Sequence, residues 1–251
     1  MDHKVLTLIA VRLKSSRLPR KALADLSGES LIIRLTERVQ QATIPTEVIW
    51  CTSTHSQDDP LEKLASEHGI FCFRGSELDV MSRFINVAEQ RKASTLVRVT
   101  GDNPLTDPIM MDVMIQAHLK KGVEYTFTED LPVGTRPEII DLDMLKRCHQ
   151  LLQDPDSSEY MTWMLNRPDQ FRTLKISANL LEIKRPEIIL TVDVEDDLRV
   201  VRSIYENFNG NPPKLQEIIL WLDLNPGFIK KNNRPFMINK TNMVNCKLVI
   251  D

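Results

Sequence analysis

The feature that most limits the fold is Val5-Leu6-Thr7-Leu8-Ile9-Ala10-Val11, an almost unbroken apolar run. A strand with one wet face alternates apolar and polar residues, so this run reads as a strand covered on both faces. Such a sheet needs helices above and below it, and the following sequence supplies them. Leu31, Ile32, Leu35 and Val39 recur at helical spacing. Residues 58–68 read as a helix, with Asp58 or Asp59 as cap, Pro60 in the first turn and Gly69 as the stop. Residues 79–91 place Val80, Phe84 and Val87 on one helical face, and residues 107–120 form another helix entered through Pro108. Strand candidates fall between them at 47–52, 70–73 and 96–99. Strand–helix alternation implies right-handed crossovers and a mostly parallel sheet, so the expected class is α/β.

After Tyr125 the pattern changes. Pro132, Gly134 and Pro137 interrupt a stretch that reads as extended. Helices are expected over 142–152 and 157–165, and a strand over 171–176. Residues of about 128–180 read as a small subdomain or a dimer arm. Residues 188–192 read as a strand running into Asp193, with helices over 196–208 and 215–222 behind it. The main domain is read as 1–226, and the Asn-, Lys- and Pro-rich 227–251 as a C-terminal tail.

Composition narrows the partners. A chain of 251 residues, 42% hydrophobic and 27% charged, is long enough and apolar enough for a sizeable core. Its net charge is −3, whereas a duplex-DNA binder carries a strongly basic balance, so nucleic acid is not the expected partner. Cys51, Cys72, Cys148 and Cys246 include no Cys-x-x-Cys pair, which removes the metal-ribbon reading. Cys51 and Cys72 lie in apolar runs and read as buried thiols. The first apolar run is too short for a membrane span, and no small-residue cleavage site follows it. A reducing cytoplasm, with no membrane partner, is the expectation.

In parallel sheets ligands sit at the carboxyl ends of the strands. The loop after the first strand is Arg12-Leu13-Lys14-Ser15-Ser16-Arg17-Leu18-Pro19-Arg20-Lys21, with five cations and two hydroxyls. Arginine grips phosphate through two N–H groups, lysine acts as a point charge, and consecutive amides can form an anion nest. The loop suits a triphosphate, although it lacks the glycines of a Walker loop. A solvated basic loop is the bland alternative, and its place at a strand end argues against that. The loop after the fourth strand is Thr100-Gly101-Asp102-Asn103-Pro104, whose Asp102 could face a metal or merely form an Asx turn. In Thr191-Val192-Asp193-Val194-Glu195-Asp196-Asp197, Asp196 and Asp197 read as helix-capping residues and Asp193 as a metal candidate. Together Asp102 and Asp193 would make a two-carboxylate magnesium site. The five histidines show no metal-ligand spacing and read as surface or helix-end residues.

Taken in order, these motifs resemble the sugar cytidylyltransferases, which include the CMP-Kdo and CMP-acylneuraminate synthetases, and most closely the spore-coat polysaccharide biosynthesis protein F branch. The resemblance rests on Ile9-Ala10-Val11-Arg12 through Lys21, on Phe73 to Arg83, on Arg98 to Leu105 and on Thr191 to Leu198. It covers residues 1–226. It implies a Rossmann-like, GT-A-like nucleotidyltransferase fold with a small dimerisation arm, and a homodimer. It also implies a reaction of CTP and Mg²⁺ with a 2-keto acid sugar that gives a CMP-sugar and pyrophosphate for surface polysaccharide. By that resemblance Arg12, Arg17, Lys21 and Asp102 would carry the chemistry. Ala10, Val11, Ser15, Ser16, Ser76, Asp79 and Arg83 would line the nucleotide, Arg98 and Glu138 the sugar, and Asp102 and Asp193 the metal.

Three places depart from the family pattern: Arg20 stands where glycine is usual, Glu159-Tyr160-Met161 stands where the branch has Glu-His-Val, and the tail Ile238-Asn239-Lys240-Thr241-Asn242 only loosely resembles the branch's Asn-Arg-Asn-Glu-Gly ending. Three other readings keep the fold: a glycosyltransferase binding a finished nucleotide-sugar, an enzyme using GTP, and a non-catalytic homologue.

Overall fold

The structure, a computed structural model, describes residues 4–178, 183–211 and 214–230. The loosely matching tail segment Ile238–Asn242 and Cys246 lie outside these residues. Seven strands form one sheet in the order β3-β2-β1-β4-β6-β5-β7. They are β1 (Val5–Ala10), β2 (Glu47–Ser53), β3 (Phe71–Gly75), β4 (Thr95–Thr100), β5 (Tyr125–Phe127), β6 (Glu138–Asp141) and β7 (Thr173–Lys175). The apolar run occupies β1 near the centre, paired in parallel with β2 and β4. Five of its six residues are buried, which is why the run shows no alternation. β6 runs antiparallel to both β4 and β5. The result is a mostly parallel, Rossmann-like α/β sheet with helices on both faces.

The helices are α1 (Leu31–Val39), α2 (Asp59–Glu67), α3 (Val80–Arg91), α4 (Pro108–Lys121), α5 (Leu142–Gln150), α6 (Met161–Leu165), α7 (Glu195–Asn207) and α8 (Leu215–Leu224). Their apolar faces build two cores. One gathers residues of α1, α2, α4, α7 and α8, and the other gathers residues of α3, α5 and α6. Local chemistry sets their ends. Asp107 caps α4 by accepting from the Met110 amide at 2.7 Å, Pro108 follows it, and Gly122 closes the helix in the left-handed region. Cross-links fix the layers. Trp50 Nε1 in β2 donates to Thr36 Oγ1 in α1 at 2.8 Å, and both residues are buried.

Two sequence expectations need correction, and the stretch read as extended resolves into strands. Residues 188–192 are not a strand. Among the described residues they make one isolated bridge, Ile189 with Val133, beside a Leu190 N–H to Val133 C=O bond of 2.7 Å. Directly after that partner the chain turns back, with the Thr135 N–H donating to the Pro132 carbonyl at 3.2 Å, so no ladder extends from it. Residues 157–165 are a 3₁₀ turn, Pro155–Tyr160, leading into the five-residue α6. The segment after Tyr125 holds two strands, β5 and β6, whose three and four residues are too short to show a period. Through β6 and β7 the segment 128–180 supplies strands of the main sheet.

Candidate active site

β1 and β4 end side by side, with Ala10 opposite Thr100. The basic loop and the Asp102 loop therefore open at the same place, above a cleft of about 670 Å³. Gly101 allows the approach: a Cβ there would lie 2.8 Å from the Val11 side chain and 3.1 Å from the Ala10 carbonyl oxygen.

Buried groups hold the basic loop open. Asp58, 2% exposed, accepts from the Leu13 amide at 2.8 Å and from Ser53 Oγ at 2.5 Å. The Arg20 N–H donates to Leu13 C=O at 3.0 Å and closes the loop on itself. Arg20 has φ of 58°, the left-handed region, which is a physical reason for glycine to be usual at this position. Asp58→Ala is expected to cost about 1–3 kcal/mol, because it strands the Leu13 donor in the interior. Urea denaturation measures this, and an unshifted midpoint would show that the loop does not depend on Asp58.

Four of the five cations line the cleft: Arg12, Lys14, Arg17 and Lys21. Each faces an acid. Lys21 Nζ donates to Asp102 at 2.9 Å, to Asp193 at 3.2 Å and to the Val192 carbonyl at 2.7 Å. Arg17 meets Asp193 at 2.9 Å, and Lys14 meets Glu77 at 2.8 Å. Arg12 donates to Glu159 at 2.5 Å and to the Glu77 carbonyl at 3.2 Å. Lys14 holds the Glu77 carboxyl below its usual range, chiefly through their hydrogen bond. The partly exposed Arg12–Glu159 pair contributes about 0–1 kcal/mol, so an incoming polyanion can displace it.

Asp102 and Asp193 come from loops 91 residues apart and meet at one ammonium. The Val192 N–H to Asp102 C=O bond, at 2.9 Å, splices the two segments together. Asp197 keeps Asp193 in place by accepting from the amides of Asp193 and Val194 at 2.9 and 3.0 Å. Magnesium takes one or two carboxylates plus phosphate and water, and Lys21 Nζ stands where a small cation would, so the donor set fits. Among the described residues no group of three or more His, Cys, Asp or Glu could hold a metal, so phosphate and water would have to complete the shell.

Farther along the cleft Arg98 donates to Glu138 and, at 3.1 Å, to Thr162 Oγ1. The Tyr125 hydroxyl also donates to Glu138, and burial pushes the Tyr125 phenol up. The nucleotide and sugar candidates fall into two groups. Ala10, Val11, Arg12, Ser15, Ser16, Arg17, Lys21, Arg83, Arg98, Asp102 and Asp193 line the cleft. Ser76, Asp79 and Glu138 stand behind it. Ser76 accepts from the Asp79 amide, and Asp79 caps α3 while bonded to His149 and Ser158. Arg83 is 1% exposed and donates to the Cys51 carbonyl at 3.0 Å.

The cleft also holds residues that the sequence reading did not single out as site candidates, notably Glu77, Leu78 and Glu159. Glu159 lies in a 3₁₀ turn with no periodic signal, and its partner Arg12 is 147 residues away. The departure at Glu159-Tyr160-Met161 was the one available pointer.

The cytidylyltransferase family model matches residues 6–207. The chain belongs to the cytidylyltransferase family. The Bacillus subtilis spore coat polysaccharide biosynthesis protein SpsF is 33% identical over 231 residues, covering 89% of this family member and 96% of the relative. A cytidylyltransferase structure from Leptospira borgpetersenii superposes with a TM-score of 0.85 at 24% identity, covering 94% of this chain and 100% of that one. A CMP:2-keto-3-deoxy-manno-octonic acid synthetase complexed with CTP gives 0.64 at 19% identity, covering 82% and 99%. At those identities the two structures establish the nucleotidyltransferase fold. Among the described residues no helix is long and apolar enough to cross a membrane.

Proposed function

We propose that this cytidylyltransferase joins the CMP moiety of CTP to a 2-keto acid sugar of the Kdo or sialic acid kind, for surface polysaccharide. The observation that carries the reading is the convergence of Asp102 and Asp193 on Lys21 at the foot of a basic loop. The anomeric hydroxyl oxygen attacks the α-phosphorus. The bond to the α,β-bridging oxygen breaks, pyrophosphate leaves with that electron pair, and the hydroxyl proton passes to solvent. Such a transfer needs positioning and charge neutralisation, and no covalent nucleophile.

Arg12, Arg17 and Lys21 bind the triphosphate and stabilise charge on the leaving pyrophosphate. Ser15, Ser16 and the backbone at Ala10 and Val11 face the nucleotide, with Arg83 as a buried floor. Ser76 and Asp79 act indirectly, by placing the start of α3. Arg98, oriented by Glu138, offers a cation to the sugar carboxylate. Asp102 and Asp193 would hold Mg²⁺. Bound there, the metal would neutralise phosphate charge. A homodimer and a cytoplasmic site of action go with this reading, and light scattering on the purified chain tests the former.

A thermal-shift screen of CTP, GTP, UTP and ATP, each with and without Mg²⁺, tests nucleotide and metal together. CTP with Mg²⁺ at a hundredfold excess over Kd is expected to raise the melting temperature most, by about 5–10 °C. Pyrophosphate release is then expected with CTP, Mg²⁺ and a keto acid sugar, and not when any one is left out. Binding of finished sugar nucleotides with no CTP consumption would instead indicate a glycosyltransferase.

A further inference from the structure

Every cleft cation of the basic loop is already engaged by an acid, but the engagements differ. Asp102 and Asp193 belong to the proposed metal set. Glu159 does not, yet it holds Arg12 at 2.5 Å. Among the described residues Arg12 is the one partner of the Glu159 carboxylate.

The main chain that carries Glu159 is anchored. Ser158, fully buried, donates its hydroxyl to Asp79 Oδ1 at 3.0 Å and accepts from the Met81 amide at 3.1 Å. Met161, two residues beyond Glu159, is also fully buried. Tyr160 stacks on Trp163 with ring centroids 5.6 Å apart. Arg12, by contrast, is a long side chain at the mouth of a loop, so when the pair parts Arg12 moves and Glu159 stays.

We propose that Glu159 competes with the nucleotide for Arg12, and that the triphosphate, on taking Arg12, releases Glu159 to accept a sugar hydroxyl. This rests on the reading of the cleft as a CTP site. A triphosphate carries several charges against one on Glu159, and it reaches Lys14, Arg17 and Lys21 at the same time, so it wins Arg12. The freed carboxylate then faces the cleft with all its lone pairs open. Before that exchange the sugar meets a carboxylate whose charge Arg12 neutralises and whose Oε2 is taken. Bound nucleotide therefore strengthens sugar binding, and Glu159 is a substrate-contacting residue that couples the two events.

Glu159→Gln separates this from a merely structural role, because it acts on the two substrates in opposite directions. Calorimetry with CTP and Mg²⁺, without sugar, is expected to show binding about two- to fivefold tighter than wild type, as the competitor loses its charge. In the Arg12→Ala background the same substitution is expected to bring no gain. Pyrophosphate assays with 3-deoxy-manno-octulosonate or an acylneuraminate are expected to show a sugar KM raised about tenfold or more, with Glu159→Asp intermediate. CTP binding unchanged or weakened in Glu159→Gln, or a gain that persists without Arg12, overturns the proposal while leaving the CTP reading intact. Failure of the wild-type protein to bind CTP overturns both.

Discussion

Asp102→Asn is expected to lower turnover by roughly 10²–10³-fold or more with little change in melting temperature. The substitution is nearly isosteric, and the amide oxygen can still accept from Lys21, so the contact at 2.9 Å survives. The side chain is 28% exposed, so no buried charge is left unpaired. What is lost is one of the two anionic ligands proposed for the metal. Pyrophosphate release measured across a Mg²⁺ titration checks this. A shift of the metal requirement to higher concentration is expected along with the lower rate. An unchanged rate would remove Asp102 from the site and, with it, the main support for metal-dependent chemistry here.

Gly134→Ala is expected to destabilise the fold by about 3–4 kcal/mol, or roughly 10 °C in melting temperature. Gly134 has φ of +95°, which disfavours any side chain. A Cβ there would sit 2.3 Å from the Thr191 nitrogen and 2.6 Å from the Leu190 carbonyl carbon. Those atoms are backbone, so no rotamer change relieves the clash. The strain would fall on the bridge between Val133 and Ile189 and on the segment that ends in Asp193. Activity is therefore expected to fall further than the folded fraction alone accounts for. Denaturation midpoint and turnover, measured on one preparation, test both effects. A wild-type midpoint would show that this approach relaxes at little cost.

The first two-thirds of the fold is legible because its signals are local. β1 announces itself by lack of alternation, α2 by Pro60 and Gly69, and α4 by Asp107 and Pro108. The later part is less legible because its elements are short or depend on distant partners. β5 and β6 have too few residues for a period, and residues 188–192 bond their backbone to Arg185, Lys230, Val133 and Asp102 and not in a ladder. The site divides in the same way. The basic loop and Asp102 could be found because each directly follows a strand. The candidates from the Phe73–Arg83 stretch could not be sorted, because Asp79 caps a helix while Arg83, four residues on, reaches the cleft.

By itself, the sequence determined an α/β sheet, a cation-rich loop at the end of a central strand, and membership of a cytidylyltransferase family. Those properties live in contiguous residues, where charge, apolar runs and caps can be read directly. The tertiary structure alone decided which charges meet. It brought Asp102 and Asp193 to Lys21, set Glu138 behind Arg98, and placed Glu159 against Arg12. Pairing across 40 to 172 residues depends on how strands are ordered in the sheet and on which loops share an end, and no local pattern encodes that.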